Sequence, residues 1–501
     1  MEKIHLLRTS VQIEVFEGDE RFPARLVDTE LSQRIRLDEL GLKVAQALRE
    51  SVPIGHLVEA VGSNEDSVKR ILTMFDRFKV LDTEASRDFV ETQARSQAMA
   101  DADPATVPLL IRDDARFTCT MCGGCCGGQN VGPVSKEKVT SLKPRFPILR
   151  DITGIKKPFF VDIPVTINGA RVERTICQTH KGSCVFLGED RLCTIHGEFG
   201  AQAKPDVCQI FPFQFKATPE GIAVSLAMEC RGFVEARKGR RLKDQEAEIR
   251  DLLTRHRVGT IRSVVALDEC STLAYEDVVQ LEASLHQAVD THGQNPSQAL
   301  LAMRQVLEDA RDTPQEAPED AEKLVQDLEV FQEDFLCSLG ELHDGYYHAD
   351  ERIRVHTGSL DHLARAVANI ISDAERVILP LRRKDALSLF GEYAHHSLMG
   401  KELVRARHLV LGQARFAFSW FVVKAMAIDR ARQVKRRHIL AQDIQDALVI
   451  VHFIFRGEDA MRGMRRHDRQ LVSLFHDRLP LFLRVAPNLG LPNQPATLYK
   501  F

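Results

Sequence analysis

The sequence predicts a mainly α-helical chain in three parts: a small α+β module, an irregular cysteine-rich segment and a long helical remainder. Three observations carry this. From about Gln245 onward, apolar residues recur at three- and four-residue intervals through most of the chain. Nine of the eleven cysteines lie between Cys119 and Cys230, in a loop-rich stretch with only short β-like runs. The first hundred residues mix β-branched runs with amphipathic stretches. A length of 501 residues suits about three domains. The expected limits are 1–95 for the first module, 96–108 for a linker, 109–240 for the cysteine domain and 241–501 for the helical domain.

In the first module, VQIEVF and ARLVD read as strands. DELGLKVAQALRE places Leu40, Val44, Ala45 and Leu48 on one helical face. HLVEAVG and EDSVKRILTMFDRF read as two further helices, with start signals at Asn64 and Ser67 and a stripe of Val68, Ile71, Leu72, Phe75 and Phe78. KVLDTE reads as a closing strand. Strand, three helices and strand resemble a winged helix, and RLDELGLKVAQAL with DSVKRILTMFDRFKVLD resembles the winged-helix peptide chaperones of pyrroloquinoline-quinone biosynthesis. That resemblance, over residues 10–85, implies recognition of a peptide or protein partner. The third helix balances Lys69, Arg70 and Arg77 against Glu65, Asp66 and Asp76, which gives no strong nucleic-acid signal. SQAMADADPATVP, at 96–108, reads as a linker because it is small, acidic and broken by prolines.

The cysteine block opens with Cys119, Cys122, Cys125 and Cys126 in FTCTMCGGCCGG and continues with Cys177, Cys184, Cys193, Cys208 and Cys230. Thiolates are soft, strong metal ligands. C-x2-C spacing lets one tight turn offer two of them to one ion. The glycines between them leave backbone N–H groups free to point at sulfur. Cys125 and Cys126 are adjacent, so their side chains are expected to serve different sites. The N-terminus lacks a secretory signal, and the longest apolar run, Phe416 to Ile428, is broken by Ser419 and Lys424, so no membrane span is expected. The chain therefore reads as cytoplasmic, where disulfides are rare and metal or iron–sulfur ligation is the better reading.

F-x-C-x2-C-G-x-CC, then C-x-F-L, L-C-x-I and P-x-x-C-x-x-F-P, resembles the CxxCxxCC zinc- or iron-chelating cysteine-cluster family. The matching positions are Cys119, Cys122, Cys125, Cys126, Cys184, Cys193, Cys208 and Pro212. IHGEFG and VSLAMECRGFVEAR resemble the flagellin lysine-N-methylase branch, with Cys230 as its final cysteine. His196, Lys204 and Phe213 depart from the usual pattern. The resemblance implies eight metal ligands, namely Cys119, Cys122, Cys125, Cys126, Cys184, Cys193, Cys208 and Cys230. It implies an iron–sulfur cluster or zinc, and S-adenosylmethionine if the chain is a protein lysine methyltransferase. Cys177, His180 and His196 have no family counterpart.

QEAEIRDLLTRHR, SQALLAMRQVLEDAR, AEKLVQDLEVFQEDFL, residues 359–398, residues 401–427 and RRHILAQDIQDALVIVHFIFR are expected helices of a bundle. DTPQEAPEDAE (312–322) reads as an exposed connection and residues 458–466 as a solvated charged face. Cys270 and Cys337 are expected as buried thiols in helices, and Glu198 and Glu229 as surface or structural residues. His395, His396, His408 and His438 show no i,i+4 spacing and are assigned no role. No P-loop, dinucleotide fingerprint or C-x3-C-x2-C run is present; position 129, where the last would need cysteine, is Gln. Two functions follow: a metal-dependent lysine-methylase-like enzyme, or a non-enzymatic metal protein for redox sensing or assembly with a partner-binding N-terminal module.

Overall fold

The structure is a computed structural model that describes residues 4–16, 21–127, 131–167, 170–311, 320–348, 357–368, 384–456 and 465–485. The chain is mainly α, with small sheets in its N-terminal half.

Strand β1 (Ile4–His5) pairs with a later strand, while β2 (Val11–Val15), β3 (Ala24–Asp28) and β4 (Gln33–Leu37) form an antiparallel meander. Helix α1 (Glu39–Ala47), β5 (Val52–Pro53), α2 (Ile54–Val61) and α3 (Glu65–Arg77) follow. Asn64 caps α3 by accepting the Ser67 N–H at 2.8 Å. Val68, Leu72 and Phe75 bury the expected face against Val44, Ala45, Leu48 and the meander. Strand β4 was not anticipated, although Arg34, Ile35, Arg36 and Leu37 alternate as a half-buried strand does. KVLDTE forms only a single bridge, Leu81 to Leu7. The reason is local: Lys79 has φ 55°, and Thr83 already starts the next helix through a reciprocal cap with Ser86.

That helix, α4 (Glu84–Asp101), corrects the expected linker, because residues 96–101 are its last turns. The small residues that suggest flexibility here permit close packing: Ser86 and Ser96 are fully buried. Gln93 fastens α4 to the body, donating to Thr260 Oγ1 at 3.2 Å and accepting the Ser263 N–H at 3.0 Å.

Strand β6 (Leu109–Leu110) leads to a 3₁₀ turn, Gly124–Cys126. A small lobe follows: α5 (Lys136–Leu142), α6 (Phe146–Thr153), the hairpin β7 (Phe160–Ile167) and β8 (Ala170–Cys177), the short hairpin β9 (Thr179–His180) and β10 (Ser183–Cys184), α7 (Thr194–Phe199) and α8 (Asp206–Ile210). Its core is Leu142, Leu149, Phe159, Phe186 and Ile195, together with Cys177 and Cys184. The chain then leaves the lobe through β11 (Phe213–Thr218) and β12 (Gly221–Leu226), an antiparallel pair flanked by β6 and β13 (Gly259–Thr260). All six residues of β12 are buried, Ser225 among them.

Helices α9 (Phe233–Ala236) and α10 (Glu246–Arg255) and the pair β14 (Val265–Ala266) and β15 (Thr272–Leu273) lead into the body, so the stretch after Gln245 is less purely helical than expected. The body comprises α11 (Tyr275–His292), α12 (Pro296–Asp309), α13 (Ala321–His348), α14 (Thr357–Ala368), α15 (Lys384–Met399), α16 (Leu409–Gln433), α17 (Ala441–Arg456), α18 (Asp468–Val472), a π-helical turn (Ser473–Asp477) and α19 (Leu479–Val485). Residues 401–408, expected as helix, are turns; Lys401 has φ 58° and His408 caps α16 by accepting the Leu411 N–H at 3.1 Å. Most of the acidic connection at 312–322, residues 369–383 of the segment 359–398 and residues 458–464 of the charged face lie outside the described residues.

Helix α16 is the axis of the body. Twenty of its 25 residues are buried, and Phe331, Phe335, Phe418, Phe421, Phe475 and Phe482 interlock around it. By length and composition α16 could cross a membrane, yet 89% of its most apolar window is buried within the fold.

Candidate metal centre

All eleven cysteines are free thiols. The structure sorts the nine of the block into two groups. Cys126, Cys177, Cys184, Cys193 and Cys208 gather in the small lobe, where Cys177 and Cys184 are core residues and the other three pack against that core. Cys119, Cys122 and Cys230 lie where the loop 118–126 meets the segment 230–239. Cys230 packs against the core of the helical body instead.

The junction is tight enough to dictate sequence. A Cβ on Gly232 would lie 2.7 Å from Thr120 Oγ1 and 3.0 Å from Cys122 Sγ. A Cβ on Gly124 would lie 2.8 Å from Arg231 Cβ. The Phe117 and Thr118 N–H groups donate to the carbonyls of Arg240 and Ala236, at 2.9 and 2.8 Å. Helix α17 then clamps the far side: Gln445 Nε2 donates to the carbonyls of Met228 and Cys230, at 2.8 and 3.0 Å.

Cys125 and Cys126 join the two groups. Their sulfurs are 3.9 Å apart, in contact with each other. The hydrogen bond from Cys126 pulls the Cys125 thiol down to about 6, and the same contact pushes Cys126 well up. Cys184 is likewise held low, first by its hydrogen bond from Cys177 and also by the Phe186 N–H. Cys177 is pushed up by that bond and by burial. Burial raises Cys193 and Cys208, and raises Cys230 to about 12.

A backbone pattern repeats at these sulfurs. The Met121 N–H donates to Cys119 Sγ at 3.4 Å. The N–H groups of Phe186, Gly232 and both Ile195 and His196 lower the pKa of Cys184, Cys230 and Cys193. In each case the N–H two residues on points at the sulfur, joined at Cys193 by the His196 N–H three residues on, the kind of contact that supports sulfur as a ligand. Met121, at φ 52°, and Gly123, at φ 68°, supply the turns that the first of these loops needs.

The donor set fits a soft cation. It is rich in sulfur, free of disulfides and supplied with N–H groups that favour thiolates. Five sulfurs in and against the core of one small lobe cannot all ionise without a compensating positive charge. Among the described residues the cysteines form no trio with sulfurs all within 4.8 Å of one another; Glu308, His476 and Asp477 form such a trio of potential ligands. Arg311 already neutralises that trio, its Nη1 lying 2.7 Å from Glu308 Oε1 and 3.8 Å from Asp477 Oδ1.

Residues 118–231 match the family model CxxCxxCC, described as "Putative zinc- or iron-chelating domain". No curated protein and no solved structure matches the chain.

The match spans every cysteine predicted from the sequence as a ligand, and the fold brings them into the two groups described. Cys177, a possible ligand without a family counterpart, lies in the same lobe: it is 1% exposed and hydrogen-bonded to Cys184 across the β9–β10 hairpin. Its sequence signal was weak, since only the turn at Lys181 and Gly182 folds it back onto Cys184. His180, His196 and Glu198 are exposed. Glu229 is half-buried, with Oε1 4.0 Å from His452 Nδ1. Cys270 and Cys337 correct another expectation: both are exposed, and Cys270 lies in the turn between β14 and β15. His395, given no role, contacts His286 across α11 and α15, with Nδ1 atoms 2.8 Å apart.

Proposed function

We propose that this chain is a zinc- or iron-binding protein whose small lobe is built around the metal. One set of ligands comes from Cys126, Cys184, Cys193 and Cys208, with Cys177 beside them. A second comes from Cys119, Cys122 and Cys230, with Cys125 within reach of either. The observation that carries this reading is the repeated N–H···S arrangement at cysteines drawn from separate elements. Scattered structural thiols have no need of such donors. Bound metal would supply the positive charge that lets several buried sulfurs ionise together. On this reading the cysteine domain holds a small lobe against a helical body, and the N-terminal module offers a surface for a peptide or protein partner. The finer reading, methyl transfer from S-adenosylmethionine to a lysine amine, is supported by the resemblance of the run from Cys184 to Arg237.

Anaerobic purification followed by metal analysis and an absorption spectrum tests the proposal. Zinc or iron bound in stoichiometric amount is expected. Broad visible absorption marks an iron–sulfur cluster, and a colourless loaded protein marks zinc. A folded protein devoid of both metals overturns the reading. Labelled S-adenosylmethionine offered to the loaded protein tests the transferase reading separately.

A further inference from the structure

A cavity of about 70 Å³ lies where the N-terminal module meets the helical body. The module contributes Gln33, Arg77 and Phe78; the body contributes Arg262, Arg407 and His408. Three guanidinium groups and one imidazole line this space, and no Asp or Glu does. Like charges gathered this closely favour an anion between them.

Asp268 and Glu269 act on Arg77 from outside the cavity, and neither carboxylate lines it. Arg77 spends its Nη groups on backbone, donating to the carbonyls of Glu269 and Asp268, the latter at 2.7 Å. Burial lowers the Arg77 pKa, and the charge of Arg407 lowers it further. Arg262 and Arg407 are exposed at the mouth, and among the described residues neither makes an ion pair. Asp268 is engaged by other donors: Oδ1 accepts from the Cys270 and Ser271 N–H groups and the Ser271 hydroxyl at 2.8 to 2.9 Å, and Oδ2 lies 3.4 Å from Arg311 Nε.

Two further features favour negative charge in this space. His408 is 6% exposed and its Nδ1 accepts the Leu411 N–H, so Nε2 carries the ring proton and is a donor. His408 also caps α16, whose 25 residues direct the positive end of their summed dipole towards the cavity.

We propose that this cavity binds a phosphate, either free or as the terminal group of a small phosphate monoester. Its volume suits one tetrahedral oxyanion. Arg262 and Arg407 would close on the anion from the mouth, Arg77 would face it from the module, and His408 would donate from the wall. An anion held between Arg77 on one side and Arg262, Arg407 and His408 on the other ties the module to the body. None of these residues belongs to the cysteine domain, so the site is independent of the metal proposal.

The test titrates the full-length, metal-loaded protein at constant ionic strength with inorganic phosphate and, separately, with glycerol phosphate, followed by calorimetry and melting temperature. Saturable binding of at least one of them is expected, with a melting temperature that rises as ligand is added. The arm that binds more tightly identifies the source of the phosphate. Combined Arg262→Ala and Arg407→Ala should weaken binding tenfold or more. Both side chains are exposed and unpaired, so this variant should melt where the parent does without ligand. Should the double variant nevertheless unfold, Arg407→Gln alone gives the same readout. Three results would each overturn the proposal: no saturable binding in either arm, equal stabilisation by chloride at the same ionic strength, or undiminished binding in a folded variant.

Discussion

The small lobe and the helical body exclude water with different material. The body stacks Trp420 and a row of fully buried phenylalanines around α16. Among the described residues the lobe has eleven in its buried core, two of them cysteines, and three more cysteines pack against it. A core that small releases little apolar surface from water, and small folds of this kind commonly lean on metal or disulfides. No disulfide is present, and the lobe's thiols stand where additional apolar packing would otherwise be required. The comparison teaches that the same element, sulfur, serves two purposes. In the lobe it replaces missing core. At the junction, Cys119, Cys122 and Cys230 lie where the loop 118–126 meets a body with its own large core.

Removing the metal should separate the two regions most sharply. A strong chelator should abolish amide protection across 131–210 while α11, α12, α16 and α17 keep theirs; structural zinc contributes on the order of 10 kcal/mol to small metal-dependent folds. Simultaneous loss of protection in both regions by hydrogen exchange would erase the distinction. Single ligand changes should give a smaller and graded effect. Cys208→Ser should destabilise the lobe by roughly 4 kcal/mol, as loss of a metal ligand can. Cys122→Ser should lower the metal content while leaving the lobe's core protected. Metal analysis with exchange on both variants checks this, and identical behaviour would merge the two groups into one. The smallest effect is expected at the clamp. Gln445→Ala leaves the carbonyls of Met228 and Cys230 without their α17 donor, at a cost of about 1–3 kcal/mol. Denaturant unfolding should register that loss with the metal content unchanged; a drop in metal would show that the clamp also shapes the junction.

Much of this was legible before any coordinates. Asn64 as a helix start, the Val68–Leu72–Phe75 face and the helices of the body follow from periodicity and capping, which are local properties. Spacing likewise drew attention to Cys119, Cys122, Cys125 and Cys126. Other features resisted for physical reasons. The last turns of α4 look like a linker because Ala and Ser are small, and only the sheet beneath reveals that Ser96 is fully buried. Cys177 looks unremarkable until the turn at Lys181 and Gly182 carries Cys184 back to it. The arginines of the interdomain cavity are 185 and 145 positions apart in sequence, so no local pattern could have joined them.

The sequence by itself determined the supply of candidate ligands: the number of thiols, their paired spacing and the glycines that free N–H groups around them. Those are properties of the chain, set by residue type and distance along it. Only the tertiary structure decided how the thiols divide, because Cys230 reaches Cys122 through the packing of β12 and α17, while Cys208 reaches Cys184 through the core of the lobe. Long-range convergence depends on which surfaces bury one another, and that is a property of the whole fold.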